Sequence, residues 1–280
     1  MTGAAPTEPI ASRDNPRFKR LRRLVEDAGA YRREGVVWLE GDHLVRALLA
    51  SGQRPQAVVL TPAAAPLLTE LRKQGLPAEV PLWWMTPALM GQLSTLASPT
   101  ALGALAPLPA VPDLSAVVPT VVLDRVQDPG NVGSILRTAA AMGFGQVVAL
   151  KGSAALWSPK VVRGGMGAHF ALRLLEGVER AALAALRVPL LATSSHAGVW
   201  LHQAPLPWPC AWVFGHEGQG VDPALLRQAS LSVRIAQPGG QESLNVAAAA
   251  AICLHASAVA RGAHAPPDDG PMLRRSERRL

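Results

Sequence analysis

The 280-residue chain is short of cysteine, of Phe and Tyr, and of negative charge. Its two cysteines, Cys210 and Cys253, cannot build a disulfide framework, and no Cys-x-x-Cys pair suggests zinc. No apolar run reaches the roughly 18–20 residues that a membrane span needs. The N-terminus MTGAAPTEPIASRDNP lacks the apolar stretch of a signal peptide. A soluble protein of a reducing cytoplasm is the expectation. Familiar nucleotide signatures are missing as well. No G-x-G-x-x-G follows the first strand of either α/β unit, and no G-x-x-x-x-G-K-[ST] occurs. Nor is there a G-x-S-x-G nucleophile elbow. These gaps argue against a P-loop NTPase, a standard dinucleotide dehydrogenase and an α/β-hydrolase. His169, His196, His202, His216 and His255 show no metal-ligand spacing, so no metal is expected. Acids number 20 against 27 bases, a net charge of +7, which points to a polyanionic partner, most often nucleic acid.

What is present is enough apolar residue, 49%, to bury a substantial core. After a lead-in over 1–11 that reads as disordered, RDNPRFKRLRRLVEDAG predicts a basic helix with Phe18, Leu21, Leu24 and Val25 on one face. Its charges suit either a solvated face or contact with phosphates. Strands at 36–41, 56–61, 81–85 and 101–106, with helices at 42–50, 63–74 and from Thr86, make an α/β unit over 12–106. Prolines 107, 109, 112 and 119 mark 107–119 as a semi-rigid linker.

From Thr120 the alternation restarts. TVVLDRV reads as a strand buried on both faces of a parallel sheet. The turn DPGNVG then leads into the helix SILRTAAAMG. Further strands are predicted at 146–151, 170–175, 188–193, 210–215 and 231–236, with helices near 159–165, 178–187, 222–229 and 243–261. Six strands alternating with helices predict a mostly parallel, doubly wound sheet over 120–261. The tail 262–280 reads as basic and disordered.

Ligands of open α/β sheets bind where strands end and helices begin, and three such loops carry unusual residues. DRVQDPGNVGSILRT (124–138) holds Asn131, with Arg137 one helical turn beyond Gly133. FGHEGQGVD (214–222) sets three glycines around Glu217. QPGGQESLNVAAAAAICLH (237–255) combines a flexible Pro-Gly-Gly turn, polar Ser243 and Asn245, and an alanine run with high helix propensity. Taken alone, this last stretch is either an ordinary capped helix or a ligand loop.

In this order and near these spacings, N-V-G-x-I-x-R-T, F-G-x-E-G-x-G and I-x-x-P-G-G-x-E-S-L-N-V resemble the SpoU/TrmH branch of the SPOUT RNA ribose 2′-O-methyltransferases. SPKVVRGGMGAHF (158–170) fits the same pattern, and the resemblance runs from Val121 to about Ala260. The front unit resembles the ribosomal-protein-like RNA-binding domain that precedes many such enzymes. The resemblance implies a C-terminal α/β domain with a deep trefoil knot, S-adenosyl-L-methionine as methyl donor, RNA as substrate and a homodimer. Ribosomal RNA is favoured over tRNA, because the front unit resembles those of rRNA-directed members. The catalytic positions it implies are Asn131, Arg137, Glu217, Ser243 and Asn245, with Arg137 in its own site or in the partner's. The donor positions are Thr193, Phe214, Gly215, Gly218, Ile235, Gln237 and Leu244. Ala236 and Gln237 stand where the family usually has Pro-Met, which implies tuned donor affinity and keeps open a non-catalytic RNA-binding module. A base methyltransferase is a third reading. An arginine rarely gives up its proton, so Arg137 is expected as a phosphate clamp that also stabilises a forming alkoxide.

Overall fold

A computed structural model describes residues 8–94, 96, 98–194, 198–240 and 243–262. The tail beyond 262 and His196 lie outside the described residues. Of the lead-in, Ile10 forms a parallel bridge with Met85, so the chain is already placed there by a β contact.

The front elements are α1 (Pro16–Glu26), α2 (Ala30–Glu34), β1 (Val36–Glu40), α3 (Asp42–Ala50), β2 (Ala57–Leu60), α4 (Ala65–Lys73), β3 (Leu82–Trp84), α5 (Pro87–Gly91) and β4 (Leu102–Pro107). Their sheet runs β1-β4-β2-β3, antiparallel at β4 and parallel between β2 and β3. Helix α1 starts where predicted, with Asn15 capping the Arg17 amide and Phe18, Leu21 and Leu24 buried. Its basic face is largely matched by nearby acids: Arg20 and Arg23 reach Glu34, Arg22 reaches Glu26, and Lys19 reaches Asp14.

The second set is β5 (Thr120–Asp124), α6 (Pro129–Ala141), β6 (Gln146–Leu150), α7 (Pro159–Gly165), β7 (Arg173–Val178), β8 (Leu190–Thr193), β9 (Val199–Trp200), β10 (Ala211–Gly215), α8 (Pro223–Gln228), β11 (Leu231–Arg234) and α9 (Val246–Ala260). The sheet order is β7-β6-β5-β10-β8-β11-β9, and every pairing in it is parallel. Strand order reverses between β5 and β10, so the crevice at their carboxyl ends is the place for a ligand.

Four local expectations change. DPGN is the first turn of α6 and not a separate turn, because Asp128 caps the helix and Pro129 suits its first position. The strand expected at 170–175 lies at Arg173–Val178, because Ala168–Ala171 winds into a 3₁₀ turn. The 178–187 helix is only a 3₁₀ segment, Arg180–Ala185. Helix α9 begins at Val246, since the Asn245 side chain accepts from the Ala247 and Ala248 amides and so acts as the cap. The two-residue β9 makes a seventh strand. The 107–119 stretch is packed in place: Leu108 N–H bonds to the Gly35 carbonyl and Gln146 brackets Ser115 on both backbone groups.

Helices α6, α7 and α9 cover one face of the sheet, and α8 with the Arg180–Ala185 turn covers the other. A Cβ added to Gly133 would sit 2.8 Å from the Gly164 backbone, so only glycine lets α6 and α7 approach this closely. The buried Trp212 indole donates to Ser257 Oγ at 2.8 Å and pins α9 to the sheet. The core is continuous with the front residues. Tyr31 donates to Glu176 at 2.6 Å, and Arg163 lies 3.9 Å from Glu40.

His169, close to this seam, is 2% exposed against Trp157. Its Nε2 lies 2.8 Å from the Leu156 carbonyl, so Nε2 carries the proton, and Nδ1 has no partner. Burial pushes its pKa down to about 4, because a second proton on Nδ1 would meet no acceptor. A histidine held neutral in the fold stabilises it fully above the ordinary value, about 6.5, and less as pH falls toward 4. Urea unfolding should show the protein about 2 kcal/mol less stable at pH 5 than at pH 7 from this group. His169→Gln keeps the donor and should flatten that dependence. An unchanged pH slope in the variant would sink the assignment.

Candidate active site

The crevice between β5 and β10 is closed by polar contacts that begin with a strained residue. Arg125, just past β5, has φ +60°, a left-handed conformation that a residue with a Cβ adopts only under constraint. It turns the guanidinium back onto Asp124, Nε to Oδ1 at 3.0 Å and Nη2 to Oδ2 at 3.1 Å. Nη1 donates to Gln219 Oε1 at 3.0 Å. Asp124 Oδ2 also accepts from the Asp222 amide at 2.7 Å. The turn 216–222 is thereby tied to the end of β5.

That turn is a tight one. His216 and Gly220 exchange both backbone hydrogen bonds. A Cβ on Gly215 would come within 2.1 Å of the Gly220 backbone, so the end of β10 must be glycine. At its tip Glu217 points to the N-terminus of α6. Its carboxylate accepts from the Gln127 amide at 3.2 Å, the Asp128 amide at 3.1 Å and Asn131 Nδ2 at 3.1 Å. Asn131 Oδ1 accepts in turn from Asn245 Nδ2 at 2.9 Å. One chain of hydrogen bonds thus runs from β10 through α6 to the cap of α9. Partial burial pushes the Glu217 carboxyl up, but the amides of Asp128 and of Glu217 itself, the Asn131 side chain and the Gln127 amide together hold it below its ordinary value. The positive end of α6 acts in the same direction.

Of the residues expected at the site, the structure brings Asn131, Glu217 and Asn245 into direct contact. Ser243 and Leu244 are exposed immediately before the α9 cap. Gln237 is partly buried, its buried Oε1 has no partner among the described residues, and a Cβ at Gly239 or Gly240 would meet no described heavy atom within 4 Å. Gly215 and Gly218 lie in the Glu217 turn, Thr193 ends β8, and Ile235 packs partly on the core. Phe214 is a core side chain, stacked 6.1 Å from Trp212, so only its backbone faces the crevice. Arg137 stands apart. It is exposed on α6 and makes no hydrogen bond or ion pair among the described residues. Six positions on from Asn131, it lies roughly 240° around the helix and about 9 Å along it, so it faces away from the network of its own chain.

Sequence reasoning missed Asp124, Arg125, Asp128 and Gln219. The Asp-Pro pair was the available signal for Asp128 as a cap, while nothing local announces that Arg125 and Gln219 meet.

Glu217→Gln should lower stability at pH 7 by about 1–2 kcal/mol, because charge-assisted bonds to the α6 amides weaken. A carboxyl with a lowered folded pKa stabilises above its ordinary value, about 4.3, and stops doing so as pH falls through the folded value. The stability gap between the two proteins should therefore close in acid, as read from unfolding midpoints across pH. A gap that persists in acid contradicts this account.

The pattern on these loops has known counterparts. The SpoU rRNA Methylase family profile matches residues 119–255. A tRNA/rRNA methyltransferase of Synechocystis, itself uncharacterised, is 30% identical over 259 residues, 88% of this chain and 92% of that one. The Bacillus subtilis 23S rRNA (guanosine(2553)-2′-O)-methyltransferase RlmP is 36% identical over 136 residues, 48% of this chain and 55% of that protein. The match therefore spans about half the length of that relative. A solved structure from Porphyromonas gingivalis, of a proposed RNA methyltransferase of the TrmH family, superposes with a TM-score of 0.75 at 33% identity. It covers 88% of this chain and 98% of that one. With its switch-point crevice, its three loops and relatives matched along nearly their full length, this chain belongs to the SpoU (TrmH) family of RNA methyltransferases.

Proposed function

We propose that the protein transfers a methyl group from S-adenosyl-L-methionine to a ribose 2′-hydroxyl of RNA, ribosomal RNA in preference to tRNA. The observation that carries this reading is the hydrogen-bond chain Glu217–Asn131–Asn245, which joins all three family loops at one crevice. The donor supplies a methyl group on a sulfonium. The residues present fit it: backbone around Gly215, Gly218, Ile235 and Leu244 offers N–H and C=O groups, and Gly239 and Gly240 border open space. The orphaned Gln237 Oε1 can accept from a ligand amine. Thr193 and the Phe214 backbone border the same space.

In the reaction, Glu217 keeps the Asn131 carboxamide oriented, and Asn131 does the same for Asn245. Asn245 and Ser243 then hold the ribose. Arg137 clamps the neighbouring phosphate and stabilises the 2′-oxygen as its proton passes to solvent and the methyl group moves to it from sulfur, which leaves as a neutral thioether. Because Arg137 faces away from its own chain's network, it serves the site of a second copy in a homodimer. The α9 face beside it supports that assembly, since Ala248, Ile252, His255 and Val259 form an exposed stripe, with Ile252 40% and Val259 53% exposed. In this reading 12–106 selects the RNA, 107–119 links, and 120–261 carries the chemistry on a trefoil-knotted backbone.

Arg137→Ala should leave donor binding within about two-fold by calorimetry while methyl transfer to RNA falls by at least about 100-fold. Near-normal transfer would falsify the role. Co-expressing Arg137→Ala with Asn245→Ala chains should restore about a quarter of wild-type activity if Arg137 serves the other copy. No recovery would place it in its own site. Nuclease digestion and mass spectrometry of the product should find the added methyl on ribose. A methyl on the base would refute the reaction.

A further inference from the structure

Arg234 is the last residue of β11, at the carboxyl-end rim of the sheet and directly before the Ile235–Gln237 loop. It pairs in register with Trp200 of the edge strand β9. Neighbouring residues in parallel register share a face, so their side chains meet. The guanidinium carbon lies 3.7 Å from the centroid of the Trp200 ring. His202 stacks near the same ring at 6.4 Å and 22°.

This guanidinium lacks the carboxylate partner that several described arginines have. Arg20, Arg23, Arg32, Arg46, Arg125 and Arg180 each reach a carboxylate. Arg234 reaches none among the described residues, and its Nε is buried without an acceptor. A charged group drawn partly out of water with an unpaired donor is unfavourable in the free protein. Stacking on tryptophan offsets part of that cost and fixes the guanidinium plane, yet it uses none of the in-plane N–H groups. The result is a guanidinium fixed at the rim of the reaction crevice, whose Nη pair forms a donor fork that no carboxylate among the described residues fills. Such a fork suits two oxygens of one oxyanion.

We propose that Arg234, held on Trp200, is an oxyanion-binding position occupied by a phosphate of the bound RNA strand. The inference rests on the RNA-methylating reading above and extends it along the substrate. β11 lies two strand positions, about 10 Å, from β10 and its Glu217 turn. That separation is too great for the reacting ribose and suits a flanking nucleotide. The chain's +7 net charge favours a polyanion at such a fork. The donor's carboxylate shares the chemistry, and the experiment separates the two sources.

The test measures binding of a short single-stranded RNA by anisotropy across salt concentrations, without donor, and donor binding by calorimetry. Arg234→Gln should weaken RNA binding about five- to ten-fold and lower the log–log salt slope by about 0.7, the loss of one phosphate contact. Donor affinity should stay within about two-fold. Arg234→Lys should recover the slope, because the charge returns, without recovering the full affinity. Trp200→Leu should weaken RNA binding with the slope kept, since the charge remains but its orientation is lost; this variant and Arg234→Lys carry the test if Arg234→Gln does not fold. Weakened donor binding with unchanged RNA binding would assign the fork to the donor carboxylate and overturn the phosphate. No change in either would show packing alone and overturn the proposal. Wild-type methyl transfer, assayed separately, reports on the reaction independently of these binding curves.

Discussion

The Glu217 carboxylate ties the two sides of the crevice to each other and, through Asn131, to the cap of α9. Glu217 sits on a turn that leaves β10, and its partners are amides at the start of the helix that follows β5. These strands are neighbours in the sheet but 86 or more residues apart in sequence at the contact. Helix N-termini need acceptors for their first amides, and here Glu217 shares that task with the local cap Asp128. The helix is thus completed by a residue from the opposite side of the switch point. Asn131 passes the constraint on to Asn245, which donates to it through Nδ2 and caps α9 with its Oδ1. Glu217 and Asn245 each satisfy amides at a helix start, and Asn131 joins them, so local stability and site geometry rest on the same series of bonds.

Rigidity is unevenly placed around that series. The 124–131 and 216–222 segments are fastened at Arg125–Gln219, Asp124–Asp222 and Glu217–Asn131. Among the described residues, the 235–240 segment has few such ties. Gly240 bonds back to Gln237, and the rest presents glycines facing open space and an unsatisfied carboxamide. A fastened wall beside an unsatisfied loop is the arrangement expected where a ligand supplies missing partners. The seam with the front sheet is held differently, by Tyr31 and Arg32 on Glu176, by Arg163 beside Glu40, and by buried, neutral His169 against Trp157.

The outer face of α6 and α9 completes this division of labour. Arg137 and the Ile252–Val259 stripe look away from their own chain's network. Helix periodicity requires this for Arg137 once Asn131 is committed to the crevice. At the opposite end of the site, Arg234 on Trp200 marks the rim of the sheet. Among the described residues, neither Arg137 nor Arg234 makes an ion pair.

Much was legible in the residues alone. Continuous apolar runs such as TVVLD and AWVFG are buried on both faces and could only be interior parallel strands. The order of glycine-bearing loops after those runs located the crevice, because backbone approach requires glycine wherever the fold sets it. Local capping also determined more than the turn signals suggested: Asp128 and Asn245 start their helices through side-chain oxygens, a choice that depends only on neighbouring amides. What only the tertiary structure decided involves partners distant in sequence. Arg125 takes a left-handed conformation because Asp124 and Gln219 hold it there. β9 is two residues long and exists because β11 offers an edge. His169 is neutral because it is enclosed, and Arg137 is excluded from its own network by the angle of one helix. Propensity and spacing act over a few residues, whereas burial, register and the facing of side chains are set by whichever segments the fold brings alongside.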